Sequence, residues 1–270
     1  MEGAKPTTTF MIMSETHNYD ITAADPTCPL AQPLPKVDVL LHCGDLTQVG
    51  GLSAYKKALR LLATVDAELK LVIAGNHEIS LDGEYWQTHL DEDDELEEHD
   101  KAVAIMNSDP SVTYLTEGTH AFTLKNGSTF RIYASPYRPE CGDWAFGYPR
   151  GEDHFCHLPQ NVDIVMTHGP PQGILDQIPS KAEHAGCESL LRAVEHAKPL
   201  MHCFGHIHEG YGAESHDWTE AAQESPGSVP SSHETATTMA QDARLSTRKG
   251  STLFVNAAIM VDHNEPRNAP

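Results

Sequence analysis

Eight residues able to bind or activate a ligand stand at the ends of short apolar runs. Glu15 and His17 follow Thr9-Phe-Met-Ile-Met13. Asp45 follows Val37-Asp-Val-Leu-Leu41, and Asn76 and His77 follow Leu69-Lys-Leu-Val-Ile73. His168 follows Val162-Asp-Ile-Val-Met166, and His206 and His208 follow Pro199-Leu-Met-His-Cys-Phe204. Imidazoles, carboxylates and one amide suit hard or borderline divalent cations. Asp45, with two oxygens, could bridge two of them. Cations about 3.5–4 Å apart can share a hydroxide, bring the pKa of the bound water near neutrality and neutralise phosphate oxygens as charge builds there. Each piece alone has an ordinary reading: a single strand-end histidine is a hydrogen-bonded structural residue, and Gly44-Asp45 is a turn. The ordered set carries the chemistry.

The elements that must position this set follow from the same runs. Four to six residues rich in Val, Ile and Leu, closed by Gly or Pro, read as buried strands and are too short for buried helices. Between them, Ser53 to Val65 places Tyr55, Leu59, Leu62 and Val65 on one helical face, and Cys187 to His196 does so with Leu190, Leu191 and Val194. Strand alternating with helix predicts an α/β fold with a largely parallel sheet, whose strand-end loops share the edge where ligands bind. The middle of the chain differs. His120-Ala-Phe-Thr-Leu124 and Thr129-Phe-Arg-Ile-Tyr133 flank Asn126-Gly127, a hairpin signal. Thr252-Leu-Phe-Val-Asn256 supplies a late strand.

Composition narrows the partners. The 270 residues carry 18 basic and 39 acidic side chains, a net charge of −21. That balance disfavours duplex nucleic acid and an anionic membrane surface, both of which need clustered Lys and Arg. It leaves room for a small phosphorylated substrate if bound cations supply the positive charge. Seventeen histidines are a surplus of the commonest metal ligand. The six cysteines form no C-x-x-C pair, no signal-peptide stretch opens the chain, and no run nears the roughly 18 apolar residues of a membrane span. A cytoplasmic protein with reduced thiols is the expectation, built as a single domain over 1–270.

Several segments read as background. Asp91 to Asp100 is a solvated acidic loop or helix start, without the ligand spacing of a calcium loop. Ala213 to Ser251 is expected to be a disordered surface insertion. His154-Phe-Cys-His157 reads as a surface loop rather than an extra zinc site, Arg138 as an exposed loop arginine with contact to phosphate as the alternative, and Cys43 and Cys203 as small buried hydrophobes. Trp144 and Phe146 either wall a base-binding pocket or pack in the core.

The set E-x-H, G-D, G-N-H-E, T-H-G-P and G-H-x-H resembles the signature of calcineurin-like metallophosphoesterases. Longer stretches resemble the metallophosphoesterase-domain-containing subfamily: Leu41-His-Cys-Gly-Asp-Leu-Thr, Ile73-Ala-Gly-Asn-His-Glu, Ser135-Pro-Tyr-Arg-Pro, Met166-Thr-His-Gly-Pro-Pro and Phe204-Gly-His-Ile-His-Glu-Gly-Tyr-Gly. The resemblance covers about residues 8–212 and 251–257. It implies a double β-sandwich flanked by helices and two divalent metal ions (Mn2+, Fe, Zn2+ or Mg2+) at its edge. Carried over by motif, Glu15, His17 and His208 hold the first metal, Asn76, His168 and His206 the second, and Asp45 bridges. His77 meets the scissile phosphate or leaving group. The implied reaction is hydrolysis of a phosphate ester, foremost a diester such as a cyclic nucleotide. A phosphomonoesterase, or a metal- or nucleotide-binding scaffold with little turnover, are the alternatives.

Three departures stand out. Glu15 occupies a place where the family has Asp, which shifts the carboxylate by about one bond, in a site where errors near 1 Å matter. Gln48 and Val49 follow the G-D motif where phosphoprotein phosphatases continue with Asp and Arg. Finally, the segment from Ala213 delays the closing strand, and no further strand is evident after Asn256.

Overall fold

The apolar runs fold as strands whose side chains alternate between two covered faces. A computed structural model describes residues 7–19, 33–90, 95–181, 183–218, 250–261 and 265–266. β1 (Phe10–Met13), β2 (Val37–His42), β3 (Ala67–Val72) and β4 (Thr113–Tyr114) form a parallel sheet in that order. The second sheet is built from β5 (Gly118–Thr123), β6 (Thr129–Ser135), β9 (Ile164–Thr167), β12 (Met201–Phe204), β13 (Gly212–Asp217) and β14 (Ser251–Asn256), in the order β13-β14-β12-β9-β6-β5. Its four central strands are parallel, and both edge strands are antiparallel to their neighbours. Among the described residues, three two-residue ladders lie outside the sheets: β7 (Arg138–Pro139) with β8 (Gly147–Tyr148), β10 (Gln177–Ile178) with β11 (Glu183–His184), and β15 (Met260–Val261) with β16 (Glu265–Pro266).

Three apolar layers follow from the alternation. Val39, Leu41, Leu71 and Ile73 of the first sheet meet Ile132, Ala134, Ile164, Met166 and Met201 of the second. On the outer face of the first sheet, Met11, Met13, Leu40 and Val72 pack under α1 (Leu52–Ala63) and α3 (Glu98–Met106) through Tyr55, Leu59, Leu62, Ala102 and Met106. On the opposite outer face, Tyr133, Val165, Phe204 and Phe254 receive Leu190 and Val194 of α4 (Glu188–Ala197). The result is a double β-sandwich with helices on both outer faces. Each fully buried Leu, Val or Phe contributes about 1.5–3 kcal/mol. Cys43 and Cys203 are buried in the layer between the sheets, and Cys43, Cys141, Cys156, Cys187 and Cys203 are unpaired thiols.

Both amphipathic helices and the hairpin form where the periodicity puts them. Cys187 caps α4, its Sγ accepting from the Leu190 N–H at 3.3 Å. The short α2 (Gly83–Thr88) is capped by Asp82 Oδ1, which accepts from the Glu84 and Tyr85 N–H groups. Two expectations need correction. The segment from Ala213 does not begin as an insertion: Gly212–Asp217 is β13, an edge strand paired over six residues with β14. Backbone pairing and the packing of His216 on Phe254 hold it, so its polar side chains gave no strand pattern. The rest of that segment, 219–249, lies outside the described residues, as do 91–94 of the acidic stretch. Beyond Asn256 the chain also continues to pair. Ser14 N–H donates to Ala257 O at 2.9 Å and Ile259 N–H to Ser14 O at 3.2 Å, laying this segment against the end of β1. Among the described residues no helix is long and apolar enough to cross a membrane.

Candidate metal centre

The loops after β1, β2, β3, β9 and β12 meet at one edge of the sandwich, and backbone bonds tie them together. Glu15 N–H donates to Gly44 O at 3.1 Å, His17 N–H to Asp45 O at 3.0 Å, and Gly205 N–H to His168 O at 3.0 Å. Space is tight: a Cβ on Gly44 (φ +99°) would lie 2.7 Å from Ala74 O, Gly75 N and His168 Nδ1 alike. Glu15 (φ 60°), His17 (φ 40°), Asp45 (φ 54°) and His206 (φ 67°) are all left-handed. Such backbone costs of order 1–3 kcal/mol per residue and persists where the surroundings enforce it, which is common at functional sites.

The structure brings all eight singled-out residues together. Glu15, His17 and His208 form one cluster with ligand atoms within 4.8 Å of one another, and Asp45, His168 and His206 form a second. Asp45 also groups with His17 and His77, so it faces both clusters. Asn76 joins the second, its Oδ1 2.9 Å from His168 Nε2. Glu15 is fully buried. Its Oε2 lies 3.1 Å from His17 Nε2 and 3.2 Å from His208 Nε2, and its Oε1 accepts from His206 N–H at 2.7 Å and Ser14 Oγ at 2.8 Å. The longer side chain thus reaches both histidines of its cluster.

Proton placement tests whether these residues fit cations. His168 Nδ1 faces Cys43 O at 3.0 Å and His17 Nδ1 faces Thr47 O at 3.0 Å. A carbonyl only accepts, so both rings carry their proton on Nδ1. Burial pushes His168 down to about 4, so the ring is neutral and Nε2 presents a lone pair. That lone pair points at two further acceptors, Asn76 Oδ1 and Asp45 Oδ2, the latter at 3.5 Å. Acceptors converging on one another need positive charge between them. Histidines that donate their other nitrogen to a backbone carbonyl are the usual arrangement around metals. Charges agree. Burial works to raise the Glu15 carboxyl but is outweighed by His17 and His208, which hold it well below the carboxylate range. Burial and the charges of Glu15 and Glu78 push Asp45 well above it. The donors present fit divalent cations.

His77 stands at the rim, about a quarter exposed. Its Nδ1 bonds Gln48 O, its ring lies against Trp144 with centroids 4.2 Å apart, and its Nε2 is 3.9 Å from Asp45 Oδ2. Of the two aromatics left open by sequence, Trp144 therefore backs His77, while Phe146 is buried against Tyr137. His154 lies in a short 3-10 turn, stacked on Tyr148 and bonded to Glu117, apart from the clusters.

Sequence reasoning missed one residue and misjudged the burial of another. Glu78, in the G-N-H-E motif but given no role, is a buried hub: Oε2 accepts from the N–H groups of Asp45 and Gly75, and Oε1 from the N–H and hydroxyl of Thr47. Its signal was a carboxylate inside an otherwise ligand-rich turn. Arg138 was expected to be exposed. It is 1% exposed, with Nε donating to Asn76 Oδ1 at 3.2 Å.

Comparisons with known proteins agree with this construction. Metallophosphoesterase domain-containing protein 1 of Homo sapiens is 37% identical over 213 residues, 76% of this chain and 62% of that protein, and its Mus musculus counterpart has the same figures. A UPF0046 protein of Caenorhabditis elegans is 32% identical over 202 residues, 69% of this chain and 50% of that protein. The chain thus spans between half and 62% of the length of these relatives. One crystal structure superposes with a TM-score of 0.52 at 14% identity, covering 76% of this chain and 86% of that one, a likeness of fold alone. A family profile described as calcineurin-like phosphoesterase matches residues 8–210. That match takes in every loop that converges on the two clusters, from Glu15 to His208: the chain belongs to the calcineurin-like phosphoesterase family.

Proposed function

We propose that this chain is a dinuclear metal-dependent phosphodiesterase acting on a small phosphorylated substrate, with cyclic nucleotides as candidates. Glu15, His17 and His208 hold one divalent cation, Asn76, His168 and His206 the other, and Asp45 spans both. The observation that carries the reading is the convergence of lone-pair-bearing groups, above all His168 Nε2 on Asn76 Oδ1 and Asp45 Oδ2. Bound cations supply a nucleophile at neutral pH and neutralise charge on phosphate oxygens. His77, fixed by Gln48 O and Trp144, is placed to meet the leaving group. Mn2+, Fe, Zn2+ and Mg2+ all suit this mixed N and O donor set. The diester is favoured over a phosphoprotein because Gln48, through its neutral carbonyl, stands where protein phosphatases use an aspartate to orient this histidine.

Bound metal is measured on purified protein, and bis(4-nitrophenyl) phosphate hydrolysis is followed after loading with Mn2+. Stoichiometric metal and turnover abolished by Asp45→Ala and His168→Ala, with folding retained, are expected. Absent metal together with background rates across Mn2+, Zn2+, Fe2+ and Mg2+ would overturn the proposal. One observation favours the alternative of a binding protein with little turnover: Glu15 Oε1 is already taken by Ser14 and His206, leaving Oε2 for a cation. Under that reading Glu15→Asp raises turnover well above the wild type.

A further inference from the structure

Arg138 is among the largest fully buried side chains, and no carboxylate pairs with it directly, although the Asp45 charge acts on it through space. Its two hydrogen bonds go to neutral oxygens, Nε to Asn76 Oδ1 at 3.2 Å and Nη1 to Pro139 O at 2.9 Å. Among the described residues, no ion pair within 4.0 Å joins Arg138 or Arg150 to a carboxylate, although the Lys and Arg side chains at Lys36, Lys101 and Arg192 each have one. Burying an unpaired guanidinium is expensive, and the arrangement is favourable once an anion meets it. The same side chain lines a cleft that opens off the second cluster at His206. Arg138, Arg150, His206 and the Cys141 thiol are among the polar groups of this cleft, and Pro170, Ile178 and Ile207 among its apolar walls. Arg150, exposed and steadied by its Nε on Glu140 O at 3.0 Å, is near enough that the two guanidinium charges repel each other. In a chain of net charge −21, two unpaired arginines facing one cleft beside a cluster of metal-ligating side chains form a local reversal of sign.

We propose that this cleft is a second anion subsite, and that the substrate is a phosphodiester bearing a further negatively charged group, such as a terminal phosphate, which Arg138 and Arg150 grip beyond the scissile ester. Guanidinium forks match phosphate oxygens in pairs, and hydrogen bonds to charged groups are among the stronger ones. Arg138, held between Asn76 and the cleft, couples the subsite to the second cluster. Arg150, at the open side, closes on the distal charge. The apolar walls accept the uncharged body that links the two anions.

The inference rests on the proposed phosphodiesterase reading, and the test separates the two. Hydrolysis of the dinucleotides TpT and pTpT, alike except for the 5′-phosphate, is compared on Mn2+-loaded protein. Wild type is expected to favour pTpT by about 10- to 100-fold in kcat/KM, carried by KM, since a charge-assisted contact contributes about that much. Arg150→Gln, a surface change that leaves the fold intact, and Arg138→Lys, which keeps charge but loses the fork, each shrink this ratio at least severalfold. Equal kcat/KM for the two dinucleotides, or a ratio untouched in Arg150→Gln, overturns the subsite while leaving phosphodiesterase activity standing. If neither dinucleotide is cleaved, calorimetric binding decides the subsite by itself. Tighter binding of pTpT than TpT, lost in Arg150→Gln, supports it, and equal binding refutes it.

Discussion

Replacing Glu78 by Gln tests whether one buried carboxylate holds the ligand loops in place. Glu78 has no exposed surface and accepts four hydrogen bonds: Asp45 N–H at 2.9 Å and Gly75 N–H at 2.7 Å on Oε2, and Thr47 N–H at 2.9 Å and Thr47 hydroxyl at 2.8 Å on Oε1. Gln keeps the shape but turns one acceptor into an NH2. Whichever way the amide faces, two of the four donors meet another donor. A buried donor left without an acceptor costs about 1–3 kcal/mol. The cheaper orientation turns the NH2 toward Thr47, whose hydroxyl can swing to His77 O, 3.3 Å away, leaving one orphaned N–H. Loss of a negative charge near Asp45 and Glu15 offsets part of that cost, because those carboxylates repel one another. The net is a loss of about 2 kcal/mol, or a fall in Tm of about 4–8 °C for a chain of this size. Because the orphaned N–H belongs to Thr47, two residues beyond Asp45, the turn that carries this ligand shifts and affinity for Mn2+ falls too. Urea unfolding of metal-free protein and calorimetric Mn2+ titration read the two effects. An unchanged midpoint together with unchanged Mn2+ affinity would refute the hub and show that the loops hold themselves.

Other outcomes follow from single contacts. Gly205→Ala drives a Cβ into Ser14 and to 2.6 Å from Glu15 Oε1, so it is expected to cost about 1–3 kcal/mol and to lower bound metal, measured by elemental analysis. Trp144→Ala removes the surface backing His77 and is expected to lower kcat about tenfold with Tm nearly unchanged, since Trp144 is only half-buried; an unchanged kcat would show that Gln48 O alone fixes the ring. Burial pushes both His42 and His202 down to about 3, whereas an unfolded histidine titrates near 6.5. Between those values the unfolded chain binds protons that the folded chain refuses. Stability is therefore unaffected by these two groups above about pH 7 and falls as pH drops toward 3, by about 2 kcal/mol per histidine at pH 5. Urea midpoints at pH 7, 6 and 5 check this, and His202→Gln, which keeps a donor for Thr167 Oγ1, should flatten the slope by about half.

What was legible in the sequence depended on period and punctuation. β2 could be read because Val39 and Leu41 point into the layer between the sheets while Leu40 points to α1, a two-sided burial that leaves a continuous apolar run. The convergence of the eight singled-out residues could be read because each follows such a run, and parallel strands bring their ends to one edge. β13 was not legible: Gly-Ala-Glu-Ser-His-Asp has no apolar alternation, and backbone pairing to β14 supplies its order. Arg138 misled for a related reason. Arginine in a Pro-rich turn is exposed in most proteins, and only the fold shows that β7 and β8 lay this one over Asn76. Glu78 sat inside a motif whose other members coordinate, so its separate work on backbone N–H groups appears only when β2 and β3 are placed side by side.

Sign reversal at the sheet edge explains how so acidic a chain can serve an anionic substrate. Three buried carboxylates, Glu15, Asp45 and Glu78, crowd a small volume, and Asp45 shows the strain of that crowding. Against burial, His17 and His208 hold Glu15 well below the carboxylate range, whereas burial pushes Asp45 and Glu78 up. Glu78 spends both oxygens on four backbone and hydroxyl donors and so serves architecture, while Glu15 and Asp45 keep oxygens directed at histidine nitrogens. Burial pushes His168 and His206 down, so those rings bring no charge of their own, whereas at His17 burial is outweighed by Glu15, which raises that ring. Beside them Arg138 adds a permanent charge that the protein leaves unpaired. Net charge summed over the chain therefore says little about this edge; the balance there is set by which carboxylates are already satisfied.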